Sequence, residues 1–151
     1  MLKFVSNSEN ETKDIAKSLA AKVSKGDVII LTGELGSGKT KFTEGFLSFW
    51  GLENEISSPT FTIVNEYSKD TINIFHFDVY RLADIDEFYA IGGTEYFDKG
   101  ISIIEWGNLI EEILPKYIKI DISKDSNNSN IRYINIEFKG DFDDKFSHFN
   151  I

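Results

Sequence analysis

The chain has 151 residues, 25 acidic against 16 basic, a formal net charge of -9 and no cysteine. This excludes disulfides and cysteine-ligated zinc, and leaves only His76 and His148 as material for a histidine metal site. The acidic balance argues against tight independent nucleic-acid binding, which needs a basic face to release counterions. No apolar run is long enough to span a bilayer and the N-terminus lacks a signal-peptide pattern, so a single cytoplasmic domain over residues 1–151, without membrane contact, is expected.

Residues 2–5 read as a short opening strand. Ser8 and Glu11 have the spacing of a capping box, and Ile15, Ala16, Leu19, Ala20 and Val23 make the apolar stripe of a helix that ends near Gly26. Val28-Ile29-Ile30-Leu31 is a continuous apolar run, as expected of a strand buried on both faces. It leads into Gly33-Glu34-Leu35-Gly36-Ser37-Gly38-Lys39-Thr40, a complete G-x-x-x-x-G-K-[ST] phosphate-binding loop. Such a loop turns backbone N–H groups inward at a triphosphate, which requires unusual backbone angles at its glycines. Lys39 is expected to supply a charge near the β- and γ-phosphates, and the Thr40 hydroxyl to ligate Mg²⁺. The helix that follows adds the partial positive charge of its N-terminus. Phe42, Phe46, Phe49 and Trp50 fall on one face of that helix, and Gly51 is its expected stop.

Ser57-Ser58-Pro59 reads as a turn. Residues 60–67 and 71–77 are β-rich and predict a hairpin about Ser68-Lys69-Asp70. Residues 84–90 predict a short helix, residues 101–105 a second buried strand, and a helical turn then runs to Leu114 before Pro115. Residues 117–122 and 131–138 predict strands around the polar loop 123–130. The fold class is therefore α/β, a P-loop NTPase-like three-layer fold with a mixed, mainly parallel central sheet and a β-hairpin. Phe142, Phe146 and Phe149 have helical spacing, so residues 140–151 form either a mobile or docking tail or a segment packed on the domain.

A phosphate-binding loop needs acids at the ends of neighbouring strands, one for the magnesium shell and one for the attacking water. Asp78 ends Ile74-Phe75-His76-Phe77-Asp78 and Glu105 ends Ile101-Ser102-Ile103-Ile104-Glu105. Trp106 is either a core aromatic or a face for the base. His76 reads as a packed strand residue, Thr60 as a switch residue or an ordinary strand threonine, and Arg81 as the main arginine available to act on the phosphates in cis.

With these motifs in place, the chain resembles the TsaE (YjeE) family of bacterial ATPases. The resemblance rests on GELGSGKT, then SSPTFTIVNEY (57–67), IFHFDVYRL (74–82), EYFDKGISIIEW (95–106) and ILPKYIKIDI (113–122). It implies ATP and Mg²⁺ as ligands and a role in forming N6-threonylcarbamoyladenosine in tRNA. It also implies TsaD and TsaB as partners, with tRNA reached only through that complex. Around the triphosphate it places Glu34, Leu35, Gly36, Ser37, Gly38, Lys39, Thr40 and Lys41, with Thr60 on the γ-phosphate side and Trp106 near the nucleotide. Metal contact falls to Thr40, Asp78 and Glu105, and turnover to Lys39, Asp78 and Glu105. One departure is Asn108, where many relatives carry an acid; residues 92–96 also differ slightly from the family pattern.

Two other functions share the loop. A small-molecule kinase commonly carries an arginine-bearing lid, and Arg81 and Arg132 are the only arginines. A noncatalytic ATP-sensing adaptor would bind nucleotide and partner without needing hydrolysis. No N-K-x-D motif points to guanine.

Overall fold

The computed structural model describes residues 1–56 and 63–149. Along the chain run β1 (Leu2–Ser6), α1 (Glu9–Ala20), β2 (Val28–Thr32), α2 (Lys39–Ser48), β3 (Val64–Lys69) and β4 (Ile72–Asp78). They are followed by α3 (Ile85–Ala90), β5 (Ile101–Glu105), β6 (Tyr117–Lys124) and β7 (Arg132–Lys139), with a 3-10 turn at Gly107–Ile113. The seven strands form one sheet in the order β1-β7-β6-β2-β5-β4-β3. Its centre, β6-β2-β5-β4, is parallel, and the flanking pairs β1–β7, β7–β6 and β4–β3 are antiparallel. The mixed sheet expected from sequence, parallel through its middle, is thus present, with the β-hairpin at one edge.

The two faces of the sheet carry separate cores. Ile29 and Leu31 of β2, Ile101 and Ile103 of β5 and Ile74 of β4 pack against α1 and α2. Ile30, Ile104, Phe75 and Phe77 face Phe88 of α3 and Ile110 of the 3-10 turn. Both faces are therefore covered by helical layers, which explains why β2 and β5 are apolar without alternation. Side chains at Ile74, His76 and Asp78 alternate onto the α2 side of the sheet, as do Ile101, Ile103 and Glu105.

Several boundaries depart from expectation for local reasons. The Ser8 hydroxyl accepts from Glu11 N (3.1 Å), but the Glu11 carboxylate reaches one residue further back, to Asn7 N (2.6 Å). Helix α2 stops at Ser48, where the chain tightens into i→i+3 bonds and turns through Gly51 at φ +73°. The helical period ends there, so Phe49 is thrown outward and is 43% exposed, whereas Phe42 and Phe46 are fully buried. The hairpin turn falls at Asp70-Thr71, after expectation, because Asp70 takes the left-handed conformation at φ +54°. Strand β6 runs two residues past the expected end, to Lys124, and β7 keeps its expected length but is displaced by one residue, to Arg132–Lys139, so that Lys124 and Arg132 pair.

The C-terminal segment does not form the amphipathic helix that its phenylalanine spacing predicts. Described residues after β7 make consecutive turns, with Asp143 at φ +55°, and a left-handed residue interrupts a helix. Phe142, Phe146 and Phe149 are nevertheless buried in the core beneath α1 and β7. Phe146 stacks on Phe138 with ring centres 4.4 Å apart, and Phe149 meets Phe4 edge to face at 6.3 Å. Phe142, Phe146 and Phe149 thus pack on the domain.

Candidate active site

The phosphate-binding loop leaves the C-terminal end of β2 and closes onto the first turn of α2. Gly33, Gly36 and Gly38 all have positive φ, at +151°, +79° and +113°. At Gly33 space is also limiting: a Cβ there would lie 2.5 Å from the Ile122 carbonyl and 2.6 Å from Ser37 Oγ. The glycines are thus required by backbone angle and by the close approach of β6.

Two acids stand beside the loop because of strand register. Leu31 of β2 pairs with Glu105 of β5, and Glu105 pairs with Asp78 of β4. The backbone continues the ladder beyond the strand ends, with Val79 N bonded to Glu105 O (3.2 Å) and Trp106 N to Leu31 O (3.1 Å). Asp78 Oδ1 accepts from Tyr80 N at 3.0 Å. Trp106 takes φ +61°, a rare angle for a bulky side chain. Its ring lies 4.2 Å from Lys39 Nζ in cation–π contact. Lys39 Nζ also donates to the Gly33 carbonyl. Burial pushes the Lys39 ammonium below its ordinary pKa, opposed by the nearby carboxylates of Glu105 and Asp78.

These groups line one cleft of about 430 Å³. Leu35, Gly36, Gly38, Lys39, Thr40 and Lys41 form its loop side, and Asp78, Glu105 and Trp106 its strand-end side. Glu34 and Ser37 border a neighbouring hollow of about 630 Å³ instead. The Ser37 N–H bonds the Glu34 carbonyl (3.0 Å) and its buried hydroxyl has no described partner. Thr60 lies outside the described residues. Arg81 is exposed.

The oxygens of Thr40, Asp78 and Glu105 suit a hard cation. Among the described residues no group of three or more His, Cys, Asp or Glu side chains could hold a metal alone.

Three features of the site escape the sequence pattern. The opposite wall of the cleft comes from Ser8, Glu9 and Thr12 at the start of α1 and from Ser129 and Asn130 in the β6–β7 loop. Nothing in their spacing marks them, since only the fold brings them to the loop. Arg132 also lines the cleft; its Nε donates to the Ser37 carbonyl (2.7 Å), tying β7 to the phosphate-binding loop. Its register partner across the hairpin, Lys124, lies with Nζ 3.2 Å from where a Gly36 Cβ would stand. The third feature is His76, which packs in a strand as expected, being only 3% exposed, but also bonds Glu105, with Nε2 and Oε2 2.6 Å apart. The i, i+2 spacing of His76 and Asp78 puts both on one face, a signal that could have drawn His76 into the site.

Known proteins resemble this chain over most of its length. The family model described as Threonylcarbamoyl adenosine biosynthesis protein TsaE matches residues 6–134. A Bacillus subtilis protein named tRNA threonylcarbamoyladenosine biosynthesis protein TsaE is 46% identical over 116 residues, 76% of this chain and 72% of its own. A Rickettsia conorii protein of the same name is 36% identical over 127 residues, 83% of this chain and 73% of its own. The crystal structure of Bacillus subtilis YdiB superposes with a TM-score of 0.71 at 36% identity, covering 92% of this chain and 86% of that one. A match that runs from the end of β1 into β7, across the phosphate-binding loop and the two strand-end acids, places this chain in the TsaE family.

Proposed function

We propose that this chain is a cytoplasmic ATPase subunit for N6-threonylcarbamoyladenosine formation in tRNA, which binds ATP with Mg²⁺ and supports turnover of a TsaB–TsaD transferase pair. The observation that carries the reading is the register that sets Asp78 and Glu105 side by side at the mouth of a glycine-cradled loop. The names of its relatives supply the pathway.

In this reading the loop backbone cradles the phosphates, and Lys39 moves from the Gly33 carbonyl and the Trp106 ring to the β- and γ-phosphate oxygens. Thr40 and Asp78 would hold Mg²⁺, which would neutralise phosphate charge there. Glu105 orients a water in line with the γ-phosphorus and receives its proton as the new O–P bond forms and the bond from the γ-phosphorus to the β–γ bridging oxygen breaks, with ADP as the leaving group. Trp106 forms an apolar wall that shields Lys39 from water on one side. Turnover by the chain alone is slow, since Arg132 is committed to the Ser37 carbonyl and the exposed Arg81 is not among the residues that line the cleft, so neither stands ready to stabilise the transferring phosphoryl group.

The test is multi-turnover modification of tRNA by TsaB–TsaD supplied with threonylcarbamoyl-adenylate, with ATP, and with this chain present or absent. Sustained turnover only in its presence is expected. No effect with matched partners and demonstrated ATP binding would reject the reading. Support by Glu105→Ala, with hydrolysis abolished, would instead identify an adaptor that senses ATP without consuming it.

A further inference from the structure

The buried face between β4 and β5 holds a titratable side chain with no part in the scheme above. His76 is 3% exposed, and its Nε2 lies 2.6 Å from Glu105 Oε2. A carboxylate only accepts, so the ring donates through Nε2–H. Nδ1 has no partner among the described residues. A buried imidazole with one nitrogen unsatisfied costs stability, and an apolar residue would fill this strand position at lower cost. What the histidine provides in return is a single, directed bond to the acid of the cleft.

We propose that His76 is the positioning residue of Glu105. The argument rests on the assignment of Glu105 as the acid that orients water. Glu105 is the last residue of β5, and its side chain is 13% exposed at the edge of the cleft. A carboxylate on a free-ended glutamate samples several rotamers. The bond to Oε2 selects one of them and leaves Oε1 as the oxygen available to the cleft. His76 itself is fixed because β4 is hydrogen-bonded on both sides, to Asn65 of β3 and Ile103 of β5 in register. Strand order therefore carries the orientation of the acid, and the chain from β3 inward acts as its support. Asp78, two residues along on the same face, is held separately by Tyr80 N, so each acid has its own tether.

The test uses the full-length chain in single-turnover ATP hydrolysis with Mg²⁺, alongside equilibrium ATP binding and thermal melting. His76→Leu removes the donor and keeps an apolar side chain in the strand. The rate should fall about tenfold with ATP affinity changed less than about threefold, a loss confined to the chemical step. His76→Gln restores a donor near the Nε2 position and should recover most of the rate. His76→Leu combined with Glu105→Ala should be no slower than Glu105→Ala alone. A His76→Leu chain that hydrolyses ATP at the parent rate would overturn the proposal. So would a Gln variant as slow as the Leu variant with both melting lower, which would mark His76 as packing only. If Glu105→Ala itself left hydrolysis unchanged, the assignment of Glu105 would fall first, a failure visible without any His76 variant.

Discussion

At the scale of single residues, Lys39 shows how function is set against stability. Its ammonium is held near a carbonyl and an indole face in a partly closed cleft, and burial lowers its pKa from the ordinary 10.5. A lysine whose folded pKa is lowered disfavours folding wherever the charge is retained. That cost is fully present below the folded pKa. Between it and 10.5 the unfolded chain binds more protons, so stability rises with pH across that window. Lys39→Met keeps most of the stem and removes the charge. It should melt no lower than the parent at neutral pH, with any advantage shrinking as the pH is raised toward 10.5 and beyond. ATP affinity should fall by about tenfold to a hundredfold, as expected for a lost charge-assisted contact. Calorimetric titration and melts across pH read both effects, and a variant melting several degrees lower would show that the buried ammonium stabilises the loop. Arg132 makes the complementary case. Arg132→Ala leaves the Ser37 carbonyl without its donor and should weaken ATP binding about threefold to tenfold through a looser loop, with β7 still paired to β6. The two residues also differ in how they could be read. Lys39, Asp78 and Glu105 were visible because a local motif or a strand end marks them. Arg132 lies 95 residues from its partner Ser37, and no local pattern encodes a contact that only the sheet order creates.

At the scale of elements, the approach of α1 to α2 fixes where the glycine-rich loop sits. A Cβ at Gly45 would lie 2.4 Å from both Cα and O of Lys13, which is backbone and cannot step aside. Gly45→Ala would raise helix propensity, yet it must drive the helices apart, and overpacking of this kind costs about 1–3 kcal/mol. A net loss of stability in denaturant titration is expected, whereas a stabilised variant would show that the helices can separate freely. Ion pairs across the same seam, Lys13 with Glu44 (3.2 Å) and Lys41 with Glu9 (3.9 Å), are too exposed to compensate. The C-terminal turns make a second case. Phe146 is 8% exposed and stacked on Phe138, so Phe146→Ala should cost about 3 kcal/mol or more. An unchanged denaturation midpoint would mean that this segment contributes nothing to the core. The helical period of α1 and the continuous apolar runs of β2 and β5 made these elements legible in the sequence. The tail was misleading because phenylalanines spaced four and three apart satisfy both a helix and a series of turns that fold back on one core. Only tertiary packing distinguishes the two.

At the scale of the whole molecule, charge decides what the chain can hold by itself. Acidic residues outnumber basic ones by 25 to 16, and many of the cations are already engaged. Lys119 pairs with Glu111, Lys139 with Glu137 and Lys145 with Asp27. Around the cleft, Lys39 bonds the Gly33 carbonyl, Lys41 faces Glu9 and Glu44, and Arg132 bonds the Ser37 carbonyl. Binding of tRNA draws its free energy from counterions released by cations laid along the phosphates, and scattered lysines already facing carboxylates release few. The chain alone is therefore expected to retain no tRNA in filter binding even at about 50 mM salt, where nonspecific association is favoured. Adding it to a TsaB–TsaD–tRNA mixture should leave the salt slope of tRNA retention unchanged, because it would contribute no phosphate contacts of its own. A steeper slope with this chain present would place basic residues of this chain on the tRNA.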